Sequence, residues 1–444
     1  MPCRSIIFLF LLLSLLILPL VVSAQISEDE GRAGSIYSGI ELGMPVDFRS
    51  PVAEGMGIIG VSITDSDVAN LANPAFWGSS VLTRGAAGFL LENFISKESN
   101  DEVENTQFAP HHFQLEFPLV KNKLGFSISM TPITRSDFRT LASNVLLPNE
   151  NPTADSVGFL IENRKNGGVN RFEMGIGWKI SNNFSIGYAG SVYFGTTEST
   201  VAAGFNNLSF EDVNIKERIS HTGFGNRVGI LLSKGKLFSD TDRLTAGATF
   251  NLAVDLEADR ELTTETNFQN RANNNVIFRT LQLPLEEGGD DGEFRMPLQT
   301  ALGLTYQFNS IWSVSTELMY QKWSDYENIE GKQQDFMKDR YRVGIGGNYH
   351  PFNKSSTTFF SKFKYRMGVT YDSGHLEFSE NNIDALFLNA GFSFLSRGSR
   401  SSIDFNFHYG IRGTTADNLI KENIMGMKVT FNLSELMFER RKFR

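Results

Sequence analysis

The sequence predicts an all-β fold, a transmembrane antiparallel β-barrel of about 14 strands with an N-terminal hatch, or plug, inside the lumen. Three observations predict it. Apolar and polar residues alternate along most of the chain, the alternating runs are long, and short polar connections follow long ones. Each observation bears on a different part of the prediction: the strands, the solvent around them and the topology.

Alternation of apolar and polar residues is clearest in four segments, at 172–180, 362–372, 403–412 and 425–433. In the second of these, the apolar members are Phe363, Tyr365, Met367, Val369 and Tyr371, and the residues between them are polar or small. Because successive side chains of a strand point to opposite faces, each segment has one apolar face and one polar face. These segments are therefore predicted strands.

The lengths of the runs and of their connections indicate a membrane. The runs extend over about 11–18 residues, whereas strands of soluble proteins usually have about 5–6 and a tilted membrane crossing needs about 9–11. Tight polar turns at 121–123, 181–183, 309–310 and 397–400 alternate with long polar segments at 138–156, 203–220, 261–293 and 325–338. Short turns on one side and long loops on the other are typical of outer-membrane barrels.

Counting the runs gives about fourteen strands, an even number as in bacterial single-chain barrels. They lie near 80–97, 107–119, 124–137, 158–180, 184–202, 218–233, 242–260, 294–308, 311–324, 339–350, 359–378, 382–395, 400–412 and 422–437. Trp178 and Trp312 adjoin short turns, where the aromatic girdle of a barrel lies, although ordinary buried tryptophans are an equal alternative.

The N-terminus has the layout of a secretory signal peptide. Arg4 precedes the apolar run 6–22, and Ala24 supplies a small residue for cleavage, with an uncleaved anchor as the alternative. We therefore expect a signal peptide at 1–24, a hatch at 25–78, a barrel at 79–438 and a basic tail at 439–444. The hatch contains a helix-like stretch at 65–71.

Composition narrows the possible partners. The only cysteine, Cys3, lies in the signal segment, so no disulfide framework is expected. A net charge of −9 and the lack of Lys/Arg-rich blocks argue against nucleic acid as a partner. With 38 Phe and 40 Gly against 13 Pro, the composition suits a barrel wall with aromatic residues toward lipid and small residues toward the lumen.

Candidate chemical motifs are weak. Gly55, Gly57 and Gly60 have the spacing of a dinucleotide-binding loop but lack the strand and helix around it, so glycines that permit tight packing in the hatch are the better interpretation. The adjacent His111 and His112 are expected on opposite faces of a strand and give no metal site. The acidic run 286–293 suits Ca²⁺ in composition, although such loops are usually only solvated.

A polar stripe is predicted inside the barrel, with basic residues on two neighbouring strands. Its members are Arg340, Arg342, Lys362, Lys364, Arg366, Asp404 and His408. The cations either pair with carboxylates such as Asp404, Glu317 and Asp372 or form a stripe that steers an anionic headgroup. We expect no catalytic residue, metal or cofactor. A barrel hydrolase using His408 is the enzymatic alternative.

A family resemblance is carried by these stretches: 65–75, which ends in Asn73, Pro74 and Ala75; Met296 and Pro297 with Gly303, Trp312 and 323–326; 341–344; 412–414; 421–423; and 438–442. In them the sequence resembles the FadL/TodX family of outer-membrane transporters of long-chain fatty acids and other hydrophobic compounds, in a Bacteroidota-like branch. These stretches follow the family's order over nearly the whole mature chain.

This resemblance implies a fourteen-stranded barrel closed by a hatch that contains Asn73, Pro74 and Ala75. It also implies passive transport in the outer membrane of a Gram-negative bacterium, with hydrophobic small molecules, fatty acids or hydrocarbons, as ligands and lateral exit into lipid at a kinked strand. Pro132 is the candidate for the kink, because proline removes a ladder hydrogen bond. Phe438 would serve as the terminal aromatic residue.

Three alternatives to transport stay open at this point. The first is a non-transporting barrel that acts as a scaffold or shuttle for exported proteins, with a partner on the loop 261–293. The second is an outer-membrane lipid hydrolase. The third is a general porin, which the candidate hatch disfavours.

Overall fold

The computed structural model describes residues 34–47, 49–65, 68–98, 101–146, 157–206, 210–270, 275–282, 291–351, 359–396 and 401–435. The predicted signal peptide, the tail with Phe438 and most of the acidic run 286–293 lie outside these residues. In the described part, no helix has both the length and the apolar character needed to cross a membrane.

Strands make up most of the described chain. They are β1 Met44–Pro45, β2 Thr83–Glu98, β3 Asp101–Val120, β4 Leu124–Pro132, β5 Thr134–Leu146, β6 Val157–Lys179, β7 Phe184–Phe205, β8 Asp212–Gly235, β9 Arg243–Asn251, β10 Val254–Asn270, β11 Asn275–Gln282, β12 Asp291–Met296, β13 Gln299–Gln307, β14 Trp312–Gln321, β15 Arg340–Tyr349, β16 Phe363–Asp372, β17 Glu377–Phe378, β18 Asn381–Asn382, β19 Ala385–Leu395, β20 Ser402–Arg412 and β21 Lys421–Glu435. The α-helix α1 is Pro51–Gly55, and 3₁₀ turns lie at Ile36–Gly39, Pro74–Ser79, Trp323–Asp325, Phe359–Lys362 and Ala416–Asn418.

The strands form a closed antiparallel barrel of 14 staves, as the sequence predicted. A stave is one crossing of the barrel wall, made of a single strand or of consecutive strands that continue one another. Three staves are interrupted: β4 continues as β5, β9 as β10, and β11 and β12 as β13. The last strand β21 pairs with β2 from Thr83↔Glu435 to Lys97↔Lys421, which closes the ring. Closure pairs each stave with a neighbour on both sides over at least part of its length, which removes most of the free edges of an open sheet.

The alternation in the sequence becomes an alternation of exposure across the wall. On β14, Trp312 and Leu318 are 51% and 44% exposed, whereas Ser315 and Glu317 between them are almost fully buried. Trp178, at the end of β6, is 46% exposed. Both tryptophans thus lie on the outer surface, and neither is the buried tryptophan of the alternative interpretation.

In three of the four segments predicted as long loops, the residues that the structure describes are largely strand. Residues 138–146 belong to β5, the segment 203–220 contains the ends of β7 and β8, and 261–293 contains parts of β10, β11 and β12. The prediction failed here because these extensions carry polar residues on many positions of both faces, so the period of two is lost. The fourth segment, 325–338, contains only isolated bridges.

Residues 34–82 precede the barrel strands and are largely buried against the inner side of the wall. Ser50 caps α1 by accepting from the Ala53 N–H, and Asn73 caps the turn Pro74–Ser79 by accepting from the Ala75 N–H. We call residues 34–82 the N-terminal segment. Its buried apolar residues form small clusters, including Val52, Met56 and Ile58, rather than one large core.

The helix predicted at 65–71 is wrong, since the described residues 65 and 68–71 are not helical. The Asn70 side chain donates to the Gly60 and Ile63 carbonyls and accepts from the Ala72 N–H. Such side-chain bonds to the backbone compete with the helix for the same groups. The chain therefore folds back here instead of forming a helix.

Candidate functional site

Four members of the predicted polar stripe lie together on the inner face of neighbouring strands. Arg340 and Arg342 on β15 and Lys364 and Arg366 on β16 are all nearly fully buried. Lys362 does not join them: it ends the 3₁₀ turn Phe359–Lys362, and its ammonium lies 5.6 Å from the centre of the Phe359 ring. The alternation was extended one residue too far toward the N-terminus of the strand.

The buried cations of the stripe pair with carboxylates, half of them from the N-terminal segment. Asp47 contacts Arg342 and lies 3.0 Å from Nη2 of Arg340, and Asp65 lies 2.9 Å from Nζ of Lys364. The wall supplies Asp372 to Arg340 and Asp404 to Arg366, at 2.5 and 3.0 Å. Pairing with Asp372 and Asp404 follows the prediction. The partners Asp47 and Asp65 could not be found by strand periodicity, because they lie outside the strands.

Glu317, the third predicted carboxylate partner, instead holds the backbone of the N-terminal segment. Its Oε2 accepts hydrogen bonds from the Ile59 and Gly60 N–H groups, at 2.7 and 2.8 Å. On β8, Nη1 of Arg227 donates to the Leu71 and Ala72 carbonyls, at 2.8 and 2.9 Å. The segment is thus bonded to two separate strands of the wall, β14 and β8.

A second group of charged side chains is centred on Glu54 of α1. Oε1 of Glu54 is 2.5 Å from Nε2 of His111 and 3.1 Å from Nζ of Lys428. Burial alone would raise the pKa of Glu54, but the charges of Lys428 and His111 hold this pKa well below its usual range. His408 faces the lumen as predicted, and its Nε2 is 2.9 Å from Oε1 of Glu92.

The prediction that His111 and His112 face opposite sides of their strand is wrong. Both are buried, and their ring centres are 5.2 Å apart. The pairing of β2 with β3 shifts register here, since Gly88 pairs with His112 and Phe89 with Pro110. This β-bulge adds a residue to one strand and turns two successive side chains inward. No group of three or more His, Cys, Asp or Glu that could hold a metal lies within the described residues.

The glycines at 55, 57 and 60 lie where the N-terminal segment crosses the lumen. Gly57 and Gly60 have φ values of +68° and +103°, a backbone conformation that favours glycine. A Cβ on Gly55 would lie 2.7 Å from Oδ1 of Asn406 on β20. These positions agree with tight packing, the interpretation preferred over a dinucleotide loop.

The predicted hatch residues Asn73, Pro74 and Ala75 begin the turn Pro74–Ser79, which packs against β6 and β7. Asn73 donates to the Val61 carbonyl at 2.7 Å and to the Ile230 carbonyl of the wall at 3.1 Å. A Cβ on Gly187 of β7 would lie 2.2 Å from the carbonyl carbon of Pro74. The turn therefore sits directly on the backbone of the wall, which only glycine permits.

A gap interrupts the wall between the second and third staves. β3 pairs with β4 only from Phe113↔Met130 to Val120↔Leu124, and the stave then breaks at Ile133. Beyond the break, β5 pairs with β6 on one side and with β1 on the other, at Met44↔Arg135 and Pro45↔Thr134. Among the described residues, no ladder joins β5 to β3. Pro132, the candidate for the kink, immediately precedes this break.

Two side chains cross the narrow end of the gap. Nη2 of Arg135 donates to the Pro110 carbonyl at 3.2 Å, and Nε2 of Gln107 donates to Oδ2 of Asp137 at 2.8 Å. On the β5 side, the Gly34 N–H of the N-terminal segment donates to the Asp137 carbonyl at 2.6 Å. The two staves are therefore linked here by contacts that can break without unravelling a ladder.

A cavity of about 150 Å³ adjoins this end of the gap, between the N-terminal segment and the wall. Its lining combines cations with apolar side chains, including Arg49, Arg135, Arg412, Leu90, Phe94 and Phe407. Carboxylates of the ion pairs, among them Asp47 and Glu54, also line it. The cavity is thus amphipathic, and it lies next to residues of the gap.

Comparisons with known proteins agree with this architecture. A Pseudomonas aeruginosa FadL homologue superposes with a TM-score of 0.56 at 12% identity, over 88% of this chain and 99% of that one. The Ralstonia pickettii toluene transporter TbuX gives 0.55 at 14% identity, over 87% and 98%. The Pseudomonas putida toluene transporter TodX gives 0.51 at 14%, over 89% and 99%. At these identities the likeness shows a shared fold.

The sequence itself matches a family model described as BamG over residues 8–444. Among curated proteins, no sequence matches this chain significantly. The expected FadL-like barrel is confirmed, while the Bacteroidota-like branch stays a prediction. Since the model spans nearly the whole chain, the protein belongs to the BamG family, and its fold is that of the FadL-like outer-membrane barrels.

Proposed function

We propose that this protein is a passive transporter of hydrophobic small molecules in the outer membrane of a Gram-negative bacterium. The observation that carries the proposal is the gap between β3 and β5, which adjoins an amphipathic cavity at the N-terminal segment. A complete ladder along this stave would leave a molecule in the lumen no sideways route into lipid. The interrupted ladder provides one.

The chemistry around the gap favours an amphipathic anion, and long-chain fatty acids are our preferred substrate. The outward residues of β4 include Phe126, Ile128 and Met130, whereas β5 carries Arg135 and Asp137 just beyond the break. This change from apolar residues on β4 to charged residues on β5 suits the boundary between the acyl chains and the polar headgroups of a membrane. A carboxylate could bind Arg135 there while its chain contacts lipid.

Passage requires the N-terminal segment to act as a hatch and to shift. Ligand pockets usually occupy about 300–1,000 Å³, so a cavity of about 150 Å³ holds only part of a long molecule. The ion pairs of Asp47 and Asp65 and the bonds across the gap would have to rearrange. We expect movement down a concentration gradient, because the sequence shows no ATP-binding motif.

A reversible lock tests the proposal. Cysteines in place of Gln107 and Asp137 would be joined by a short bis-methanethiosulfonate reagent in liposomes containing the purified protein. We expect uptake of a labelled long-chain fatty acid to fall at least tenfold and to recover on reduction. The two single-cysteine variants, treated identically, are the controls. Uptake that is the same with the lock closed, or the same as in protein-free liposomes, would refute the transport function.

A second candidate is a non-transporting barrel that serves as a scaffold or shuttle for exported proteins. Its support is the number of buried bonds that hold the N-terminal segment, from Glu317 and Arg227 on two separate strands to Arg340 and Lys364. A permanently closed lumen is compatible with this role.

The two candidates differ in their dependence on the external hairpin of β10 and β11. Shortening this hairpin between residues 261 and 293 should leave fatty-acid uptake intact if transport is the function. For a scaffold, the same deletion should release a co-purifying exported protein. Geometry gives the hydrolase alternative no support at His408, whose ring contacts Glu92.

A further inference from the structure

Three guanidinium groups share one carboxylate of the N-terminal segment. Asp47 contacts Arg342 and lies 3.0 Å from Nη2 of Arg340. Its Oδ2 is also 3.6 Å from Nη2 of Arg49. Arg340 has a second carboxylate partner in Asp372, whereas Arg342 and Arg49 have no other within ion-pair distance among the described residues. The group thus contains three cations and two anions.

Two of these guanidinium groups keep a buried donor without a partner. Nε of Arg342 and Nε of Arg49 have no hydrogen-bond acceptor within the part of the chain that the structure describes. Arg342 is only 4% exposed, so water does not replace the missing acceptor easily. The backbone limits how Asp47 can place its oxygens, whereas a free anion can accept from Nε and Nη of one guanidinium together.

A cavity next to the three arginines has room for such an anion and supplies an apolar surface. Arg49, Arg340 and Arg342 all line the cavity of about 150 Å³ described above. Its lining also includes Leu90 and Ile424, which are both almost fully buried. Cations beside apolar side chains suit an anion that carries a hydrocarbon chain, since the chain loses contact with water when it binds.

Asp47 directly follows the part of the N-terminal segment that is paired with the wall at the gap. β1 pairs with Thr134 and Arg135 of β5, and the Val46 N–H donates to the Ile133 carbonyl at 2.7 Å. The ion pairs of Asp47 therefore hold the end of this paired stretch in place. An anion that replaced Asp47 on the arginines would loosen the stretch from β5.

We propose that Arg49, Arg340 and Arg342 form a binding site for the carboxylate or phosphate headgroup of an amphipathic molecule, and that Asp47 occupies this site as an internal substitute. The incoming headgroup displaces Asp47, and residues 44–47 then separate from β5. The inference deepens the proposed transport function, on which it rests for one point, that the molecule displacing Asp47 is the one transported.

Equilibrium dialysis of the purified full chain in a non-ionic detergent tests the site, with protein-free micelles as the background. The probes are octanoate, octyl phosphate and, as an uncharged control, octanol. Asp47→Asn removes the internal charge and keeps the shape of the side chain, so we expect at least one anionic probe to bind at least tenfold more tightly, with octanol unchanged. Adding Arg342→Gln should abolish this gain.

A gain for octanoate alone identifies a carboxylate ligand, and a gain for octyl phosphate alone identifies a phosphate ligand. Asp65→Asn is the matched control, because Asp65 is another carboxylate of the segment and lies 2.9 Å from Nζ of Lys364. It breaks an ion pair of the segment without emptying the arginine site, so its affinity for both anions should stay within about twofold of wild type.

The wild-type protein supplies a second readout that needs no variant. Amide hydrogen exchange at Val46 should become at least tenfold faster with a saturating concentration of the anion that binds, and should not change with octanol. Unchanged exchange would overturn the proposal. Equal anion affinities in wild type and Asp47→Asn, an equal gain in Asp65→Asn, or a gain that persists with Arg342→Gln would overturn it too. Loss of fatty-acid uptake in liposomes alters none of these binding results, so the two proposals can fail separately.

Discussion

The N-terminal segment meets the wall in two chemically different regions. Around Pro74–Ser79 the backbone of the turn lies against glycines of β6 and β7, and Trp77 is 1% exposed. Around Asp47 and Asp65 the contacts are ion pairs with Arg340, Arg342 and Lys364. Close packing of backbones cannot yield gradually, whereas ion pairs can exchange partners. The first region therefore anchors the segment, and the second is where we expect movement.

The largest loss of stability is expected where the turn Pro74–Ser79 packs most closely against the wall. In Gly187→Val, the new Cβ would lie 2.2 Å from the Pro74 carbonyl carbon and 2.4 Å from the Ala75 nitrogen, and backbone atoms have no room to retreat. We expect a loss of more than about 3 kcal/mol from the free energy of unfolding, measured by urea titration of tryptophan fluorescence in detergent.

The matched control lies on the same strand. A Cβ on Gly190 would meet nothing within 4 Å, so Gly190→Val should change the free energy of unfolding by less than about 0.5 kcal/mol. If the two valine variants unfold at the same urea concentration, the turn is not the anchor.

A smaller effect is expected from breaking the charged region. Asp47→Ala removes the carboxylate that contacts Arg340 and Arg342, and leaves two nearly buried guanidinium groups with fewer partners. Because the site borders a cavity, we expect a loss of about 2–3 kcal/mol, below the range for a fully enclosed pair. Limited proteolysis should cleave the N-terminal segment faster while the barrel strands stay resistant.

An exposed pair provides the control for Asp47. Asp325 lies 3.0 Å from Lys322, and both side chains are more than two-fifths exposed, so Asp325→Ala should change stability by less than about 0.5 kcal/mol. A proteolysis rate in Asp47→Ala that equals the rate in Asp325→Ala would contradict the distinction between the two regions.

Asn73 lies between the regions and should show an intermediate effect. Asn73→Ala loses the cap on Ala75 and the bonds to the Val61 and Ile230 carbonyls, for about 1–2 kcal/mol by urea titration. Asn73→Asp keeps the cap oxygen but sets a second, charged oxygen against the Val61 and Ile230 carbonyls at a buried position, so it should be less stable than the alanine variant. An aspartate variant as stable as the wild type would contradict this assignment.

The smallest effect is expected at Lys362, which the structure separates from the charged region. Lys362→Ala removes a contact with the exposed ring of Phe359 and should change the free energy of unfolding by about 0.5 kcal/mol or less. If proteolysis of the N-terminal segment is as fast in Lys362→Ala as in Asp47→Ala, Lys362 belongs to the buried charged region after all.

The members of the predicted polar stripe show where the alternation of a strand predicts the facing of a side chain correctly and where it does not. Arg340, Arg342, Lys364 and Arg366 were placed correctly on the inner face, because each lies within a strand whose alternation is regular. Lys362 failed because the strand begins after it, and His112 failed because a bulge reverses the alternation. Alternation therefore predicts which face a residue lies on only where the strand is regularly paired with its neighbours.

The sequence by itself determined the fold class, the number of staves and the side of the wall that each regular strand position faces. These are local properties: alternation fixes the face, and the length of each run fixes a crossing. The tertiary structure alone decided which carboxylates pair with the buried cations, where the third stave separates from the second, and that three of the predicted loops continue as strands. Those features depend on contacts between residues far apart in the chain, which a period of two does not encode.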